Sequence, residues 1–387
     1  DVFLHLAYSK YILNTGQLMN TDYYPLIHIY TAILELLGIK NQMILTTSIS
    51  VLFYLLVIIS LYILGKSIFK EWRSGALFSV MGSPLLFSIG HFAFYPFLFA
   101  LYMIPLVLYL IKKIEEGRDL KIYYLCLILI SIFIIFCHPT IAFSLIVILL
   151  YRYILYNSKA FITHKRYRYH GIVLLSAAIG IIASIWYCKF SIVSEVINNS
   201  LNPTFNSKVI GGTINADRLL SSLSEISLSD AISYFIKAYG PITIYLSVSL
   251  AFTIWILWNY LRYNSVMNEH LYGLLFILSL IIGLILMFGN FIINETIRAL
   301  GLSLLMAPIV IGIAAYIIIE KIKTKRYERL IGCIIVTILF LVSILSILNV
   351  YYSPWTSSTG ANQTEMELSG TNWFLIAHDN DLIIYSN

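Results

Sequence analysis

Charged residues are scarce in this sequence. Aspartate, glutamate, lysine and arginine together make up 11% of its 387 residues, whereas a soluble domain has about a quarter. Hydrophobic residues reach 59%, and the mean hydropathy is +0.86. This balance excludes a water-soluble enzyme, because most of its surface would be apolar. The 15% aromatic content excludes a disordered chain. The sequence predicts an all-α polytopic membrane protein.

Cysteine is also rare, and its positions do not suggest a metal site. The positive charge of the chain does not suggest a nucleic-acid partner. The four cysteines fall inside or at the ends of apolar segments, at spacings that fit no metal motif. The net charge of +6 comes from short basic runs between apolar segments. Such runs are typical of cytoplasmic loops and not of a nucleic-acid-binding face. We expect small core residues at Cys126, Cys137, Cys188 and Cys333.

Ten apolar runs have the length needed to cross a hydrocarbon core, which is about 17–25 residues for about 30 Å. A further apolar stretch, 24–38, is shorter and contains His28 and Glu35. We expect that stretch to be a helix lying in the outer membrane interface. The predicted fold is therefore a bundle of about ten transmembrane helices. The ten predicted spans are 43–65, 74–90, 92–111, 121–137, 140–156, 170–188, 239–261, 271–289, 299–319 and 330–348.

Basic residues are distributed unequally between the two sides of this predicted bundle. When the loop 66–73 is placed inside, the inner loops hold 18 of the 25 lysines and arginines. Cytoplasmic loops carry such an excess, so we expect both visible ends to lie outside. The chain then divides into a first outer segment, 1–42, and a bundle, 43–348, with an outer loop at 189–238. The last segment, 349–387, is expected to begin a truncated outer domain.

Features of a secondary transporter are missing from the sequence. Transporters usually have ionisable residues within their spans and internal repeats with broken helices. The predicted spans contain few ionisable residues, and no such repeat is visible. The pattern argues against transport. A transporter or flippase of lipid-linked saccharides and a non-catalytic subunit of an envelope-assembly complex remain the alternatives to an enzyme.

The first outer segment carries the residues best suited to chemistry. If 1–13 is helical, Asp1 and His5 lie one turn apart on the same face. A carboxylate and an imidazole so placed suit two roles. They are ligands for a divalent cation such as Mg²⁺ or Mn²⁺, or they act as base and orienter for an acceptor hydroxyl. An N-capping aspartate beside an interfacial histidine is the structural alternative.

The order of motifs in this segment resembles the first luminal loop of GT-C membrane glycosyltransferases. Asp1 is followed by residues 14–16 (Asn-Thr-Gly) and then by 24–28 (Tyr-Pro-Leu-Ile-His), which open an amphipathic helix. The superfamily includes protein O-mannosyltransferases, aminoarabinose transferases, oligosaccharyltransferase catalytic subunits and archaeal members. The resemblance implies a catalytic or metal-linked Asp1. It also implies that this chain is a fragment lacking a first span before Asp1.

Later landmarks are similar to the same superfamily. Residues 65–69 (Gly-Lys-Ser-Ile-Phe) resemble its inner turn, His138 falls at an outer turn, and residues 370–374 stand where its soluble domain begins. The resemblance gives Arg298 the role of binding the lipid-linked phosphate. A guanidinium at the outer end of a span is costly unless it meets an anion. Snorkelling, or an ion pair with Glu295, is the alternative.

Two departures narrow the activity that the resemblance implies. The turn 88–96 lacks the second acidic motif of oligosaccharyltransferases, and 372–374 (Asn-Trp-Phe) lacks the final aspartate of their Trp-Trp-Asp signature. The implied reaction is the inverting transfer of one sugar from a polyprenyl (dolichyl-type) phosphate to a protein, glycan or lipid acceptor at the outer face. The first departure favours Asp1 as a metal-free base. We expect Asp1 and His5 to be catalytic and the substrate to be bound by Arg298, Glu295, Asp22, His28, His91 and His138.

Overall fold

The structure is a computed structural model that describes residues 2–83, 95–117, 120–163, 170–190, 228–263, 269–288, 296–321 and 325–350. All regular elements in these ranges are α-helices, as the hydropathy pattern predicts. In chain order they are α1 Val2–Thr15, α2 Pro25–Leu36, α3 Gln42–Phe69, α4 Trp72–Gly82, α5 Pro96–Tyr102, α6 Ile104–Glu116, α7 Leu120–Cys137, α8 Pro139–Thr163, α9 His170–Tyr187, α10 Leu228–Tyr263, α11 His270–Phe288, α12 Thr296–Lys321 and α13 Lys325–Val350.

Four helical segments among the described residues are long and apolar enough to cross a membrane. Five other predicted spans coincide with shorter apolar helices, and 74–90 is described only as far as residue 83. The expectation of a helical membrane protein is confirmed at this level. The four long segments are Ile44–Phe69, Pro96–Glu116, Ile242–Arg262 and Leu300–Lys321.

The first segment and the loop before α10 differ in how closely they follow the predictions. Helix α1 covers residues 2–13 of the predicted helix 1–13, and α2 lies within the predicted stretch 24–38. Pro25 occupies the first turn of α2, where its missing N–H costs nothing. In contrast, α10 begins at Leu228, so residues 228–238 are helical instead of part of the predicted outer loop 189–238. Residues 191–227 of that loop, and the segment 351–387, lie outside the described residues.

Helix α12 forms the centre of the bundle. It packs against α3, α4, α5, α10 and α11, and most of its residues from 300 onward are buried. Two glycines allow the close approach of aromatic neighbours. A Cβ atom on Gly301 would lie 2.8 Å from the Phe97 ring, and one on Gly312 would lie 2.5 Å from the Phe78 ring. Small residues are typical of such contacts between membrane helices.

Proline divides the predicted span 92–111 into two helices. Helix α5 ends at Tyr102 and α6 begins at Ile104. Pro105 has no N–H with which to continue the hydrogen-bond series of α5. A second proline, Pro96, begins α5, and the next residue, Phe97, is buried.

The lateral surface of the bundle is apolar. Leu174 on α9, Ile254 on α10 and Phe340 on α13 are each more than half exposed. Many other leucine, isoleucine and phenylalanine side chains are exposed in the same way. A surface of this composition suits hydrocarbon chains and not water.

The starts of α2 and α8, far apart in the sequence, lie together in the structure. His138, just before α8, contacts Tyr24, just before α2. We call this the histidine end. On the same helix, Arg152 lies about 20 Å farther along and binds Glu115 at the end of α6. We call this the arginine end.

Candidate functional site

Asp22 and His28 form a buried pair at the histidine end. Both side chains are inaccessible to solvent, with 2% of Asp22 and 0% of His28 exposed. The His28 Nδ1 atom lies 2.8 Å from each carboxylate oxygen of Asp22. Asp22 Oδ1 also accepts the backbone N–H of Tyr24 at 3.0 Å. The turn before α2 thus fixes the carboxylate, and the first turns of α2 present the imidazole to it.

His5 extends this pair into a chain of three titratable side chains. Its Nδ1 atom lies 2.9 Å from Nε2 of His28, and 7% of the residue is exposed. Helix α1 supplies His5 and packs against α2, which supplies His28. The two residues are 23 positions apart in the sequence, so the contact depends on the packing of two helices. We call Asp22, His28 and His5 the relay.

Tyr8 holds the relay from one side. Its ring stacks on the His28 ring, with centroids 5.1 Å apart. Its hydroxyl lies 3.1 Å from the Thr21 hydroxyl, next to Asp22 in the sequence. One side chain of α1 therefore packs against the imidazole and binds the turn that carries the carboxylate.

Tyr24 connects the relay to the membrane bundle. Its ring stacks on His138 with centroids 5.2 Å apart and lies 6.2 Å from the ring of His5. Phe97 meets His138 edge-on at 5.1 Å. His138 is therefore packed between two aromatic rings and is 5% exposed.

The end of α9 closes the same region. Trp186 donates its indole N–H to the carbonyl of Tyr23 at 3.3 Å, and Phe190 packs edge-on against the Tyr23 ring at 4.9 Å. The hydroxyl of Tyr187 donates to the carbonyl of Ile135 near the end of α7. The two contacts of Tyr23 bind the segment before α2 to the end of α9, and the Tyr187 bond joins that end to α7.

Four of the predicted site residues are brought together here. His5, Asp22 and His28 form the relay, and His138 joins them through Tyr24. Asp1, His91 and Glu295 lie outside the described residues. Arg298 falls in the first turn of α12, but its side chain is also outside the described set. The predicted roles of these four residues stay predictions.

The partnership of the relay was not predicted. The spacing of Asp1 and His5 suggested a pair within α1, whereas the described partner of His5 is His28 of α2. The supporting roles of Tyr8 and Phe97 were also missed, since aromatic residues are common throughout the chain. The sequence feature that could have suggested the pair is the predicted helix start between Asp22 and His28. One turn there orients both a carboxylate and an imidazole.

The relay does not fit a divalent cation. Both ring nitrogens of His28 are engaged in hydrogen bonds, one with Asp22 and one with His5. Within the described residues, no three His, Cys, Asp or Glu side chains come together as metal ligands. Asp1 lies outside the described residues, so the expected cation at Asp1 stays a prediction.

A second polar cluster lies at the arginine end. Arg152 Nη2 is 2.5 and 2.6 Å from the two carboxylate oxygens of Glu115, and both side chains are buried. The guanidinium also lies 5.7 Å from the centre of the Tyr272 ring. Burial raises the pKa of the nearby Glu269, an effect that its own backbone N–H and Lys112 partly offset.

Comparison with known proteins gives no family for this chain. No protein-family model matches it, and no curated protein matches it.

Proposed function

We propose that this protein is an integral-membrane glycosyltransferase of the GT-C type. It takes a sugar from a polyprenyl (dolichyl-type) phosphate and transfers it to an acceptor hydroxyl at the outer membrane face. The chain then crosses the membrane about ten times, with the histidine end outside. The proposal rests on the resemblance of the sequence motifs and on one structural observation, the convergence of His5, Asp22, His28 and His138.

The convergence supports a catalytic role, because burying titratable side chains costs free energy that apolar side chains at the same positions would not cost. The lateral surface and the core are apolar, yet three titratable side chains are buried together at one end. Buried polar groups cost free energy unless each is hydrogen-bonded, and apolar residues of similar volume would often pack at least as well. A cluster of this kind at a membrane surface is a candidate site for proton transfer.

The proposed reaction is a single displacement. The acceptor oxygen forms a bond to the anomeric carbon, while the bond from that carbon to the phosphate oxygen breaks. The electron pair leaves with the polyprenyl phosphate, and the acceptor proton passes to a base in the first outer segment. Attack from the face opposite the leaving group inverts the anomeric configuration. Arg298 is the proposed partner of the lipid phosphate.

The test follows radiolabelled sugar in liposomes that contain the full-length protein. We expect label to leave the polyprenyl phosphate in the wild type and turnover to fall at least 100-fold in His28→Gln, in line with the loss of acid–base catalysis. Ser131→Ala is the matched control. Ser131 is also buried, and among the described residues its hydroxyl bonds within α7, to the carbonyl of Leu127. The turnover of Ser131→Ala should therefore be unchanged.

Other outcomes assign the protein to the alternative classes. Label that crosses the bilayer without leaving its lipid would identify a flippase. Label that stays on its lipid and on its original side, with every donor and acceptor supplied, would favour a non-catalytic subunit.

A further inference from the structure

The turn between α3 and α4 carries exposed charge of mainly one sign. Its exposed basic residues are Lys66, Lys70 and Arg73. One acidic residue, Glu71, leaves the segment 66–73 with a net charge of +2. Exposed positive charge that is concentrated in so short a segment attracts anions. We call residues 66–73 the basic turn.

The contacts of α12 place the basic turn at the arginine end. Helix α12 starts near the histidine end, where Gly301 packs against Phe97, the neighbour of His138. Tyr316 lies about 22 Å farther along the same helix. Its ring stacks on the ring of Phe69, with centroids 4.1 Å apart. Phe69 is the last residue of α3, so the basic turn lies at the far end of the bundle from His138.

Exposed tryptophans on two helices mark the depth of this end in the membrane. Trp72, the first residue of α4, is 64% exposed, and Trp258, near the end of α10, is 63% exposed. Trp255 precedes Trp258 by one turn, and the centre of its ring lies 5.4 Å from Nζ of Lys321, the last residue of α12. An indole has an apolar ring and one N–H, so it prefers the layer between hydrocarbon and water. The basic turn, which contains Trp72, therefore lies at the level of the lipid headgroups.

Lys70 has a backbone conformation that lysine does not favour. Its φ of 60° makes it the one residue other than glycine with a positive φ in the part of the chain that the structure describes. Glycine adopts this conformation without strain and commonly follows the end of a helix, as Lys70 follows α3. A side chain with a Cβ atom is strained there. Lysine at this position thus keeps a positive charge beside Trp72 at a cost in stability, as expected where the charge has a use.

We propose that the basic turn binds the headgroups of anionic phospholipids in the leaflet at the arginine end. Its lysines and Arg73 attract the negative headgroups, and Trp72 anchors the turn at their depth. The apolar lateral surface of the bundle contacts the acyl chains of the same lipids. A zwitterionic lipid such as phosphatidylcholine has no net charge and binds more weakly. This lipid binding does not require sugar transfer, so it and the proposed function can fail separately.

Quenching of Trp72 fluorescence tests this preference. The full-length protein is placed in phosphatidylcholine vesicles that contain either brominated phosphatidylglycerol or the same fraction of brominated phosphatidylcholine. The signal of Trp72 is the difference between each protein and its Trp72→Phe counterpart. We expect phosphatidylglycerol to quench Trp72 more strongly than phosphatidylcholine does. Its relative affinity should fall about fivefold for each lysine removed, in Lys66→Gln and in Lys70→Gly, and high salt should weaken it as well.

Lys70→Gly separates lipid binding from stability. Glycine suits the backbone at this position, so we expect a Tm equal to or above that of the wild type, together with the weaker preference for phosphatidylglycerol. Lys113→Gln is the control, because Lys113 lies at the same end but donates to Glu116 at 2.7 Å. Its lipid preference should match that of the wild type.

Three results would overturn the proposal. Equal quenching of wild-type Trp72 by the two lipids would instead favour a soluble acidic partner for the basic turn. An unchanged preference in both Lys66→Gln and Lys70→Gly would show that these lysines do not bind the lipid. A loss in Lys113→Gln as large as the loss in Lys70→Gly would show that any positive charge at the arginine end has the same effect.

Discussion

Arg152 of α8 and Glu115 of α6 form a two-oxygen ion pair inside the arginine end of the bundle. Each side chain is about 5% exposed or less. Removal of one partner from a buried pair leaves an uncompensated charge, which costs about 3–5 kcal/mol. We expect Arg152→Leu to destabilise the protein by this amount, measured by thermal unfolding in detergent followed by circular dichroism.

A nearby exposed pair provides the control for that measurement. Lys113 and Glu116 lie 2.7 Å apart on α6, and each side chain is about one-quarter exposed. Water and salt screen such a pair, so Lys113→Ala should cost only about 0.2–1 kcal/mol. Equal effects of Arg152→Leu and Lys113→Ala would contradict a structural role for the buried pair. The double variant Arg152→Leu/Glu115→Leu should regain much of the lost stability.

Gly75 allows α4 to pack against α3. A Cβ atom at this position would lie 2.7 Å from the backbone oxygen of Tyr62, and a backbone atom cannot move aside as a flexible side chain can. We expect Gly75→Ala to cost about 1–3 kcal/mol, despite the better helix propensity of alanine. The same thermal unfolding measurement tests it.

Gly332 provides the control for Gly75→Ala. It lies within α13, and in the part of the chain that the structure describes no atom comes within 4 Å of a Cβ built there. Gly332→Ala should be neutral or stabilising by up to about 1 kcal/mol. A Gly75→Ala variant as stable as Gly332→Ala would show that α3 and α4 are not in close contact.

Glu269 gives a pH dependence whose sign follows from its burial. Burial raises the pKa of this carboxyl above its usual 4.5, while its own N–H and Lys112 lower the pKa by less. The folded state therefore binds a proton at pH values where the unfolded state does not. Stability rises as pH falls through the folded pKa toward 4.5, and the penalty for the charged form is present above the folded pKa.

Glu269→Gln tests that dependence directly. The variant has no charge to bury, so we expect a higher Tm than the wild type at pH 7 and no advantage at pH 4. Glu320→Gln is the control, because Glu320 is exposed near the end of α12. A Tm difference that stays constant between pH 4 and pH 7 would refute this effect of Glu269.

Cys188 reports which side of the membrane carries the histidine end. It is exposed just after α9, next to Tyr187, whereas Cys137 is buried. We expect a membrane-impermeant maleimide to label Cys188 in intact cells when Cys126, Cys137 and Cys333 are changed to alanine. The matched site is Lys66→Cys, which is exposed near the end of α3 and should react only after permeabilisation. The reverse pattern would invert the proposed topology.

The sequence alone was enough to predict apolar membrane helices and the positions of most of them. Hydropathy is a local property, so runs such as 121–137 and 170–188 matched α7 and α9 almost to the residue. Proline at 25 and at 96 marked two helix starts for an equally local reason, the missing N–H. The residues His5, Asp22 and His28 were also visible as candidates in the first outer segment.

The tertiary structure decided how those candidates are combined. His5 was expected to act with Asp1, because residues one turn apart share a helix face. That pairing stays a prediction, because Asp1 lies outside the described residues. The contact of His5 with His28 comes from a second helix, and Tyr24 meets His138 from a turn more than a hundred residues away. Such contacts depend on the angles at which helices pack and not on sequence spacing. The distances that join Asp22, His28 and His5 are likewise set by helix packing, and only the folded chain provides them.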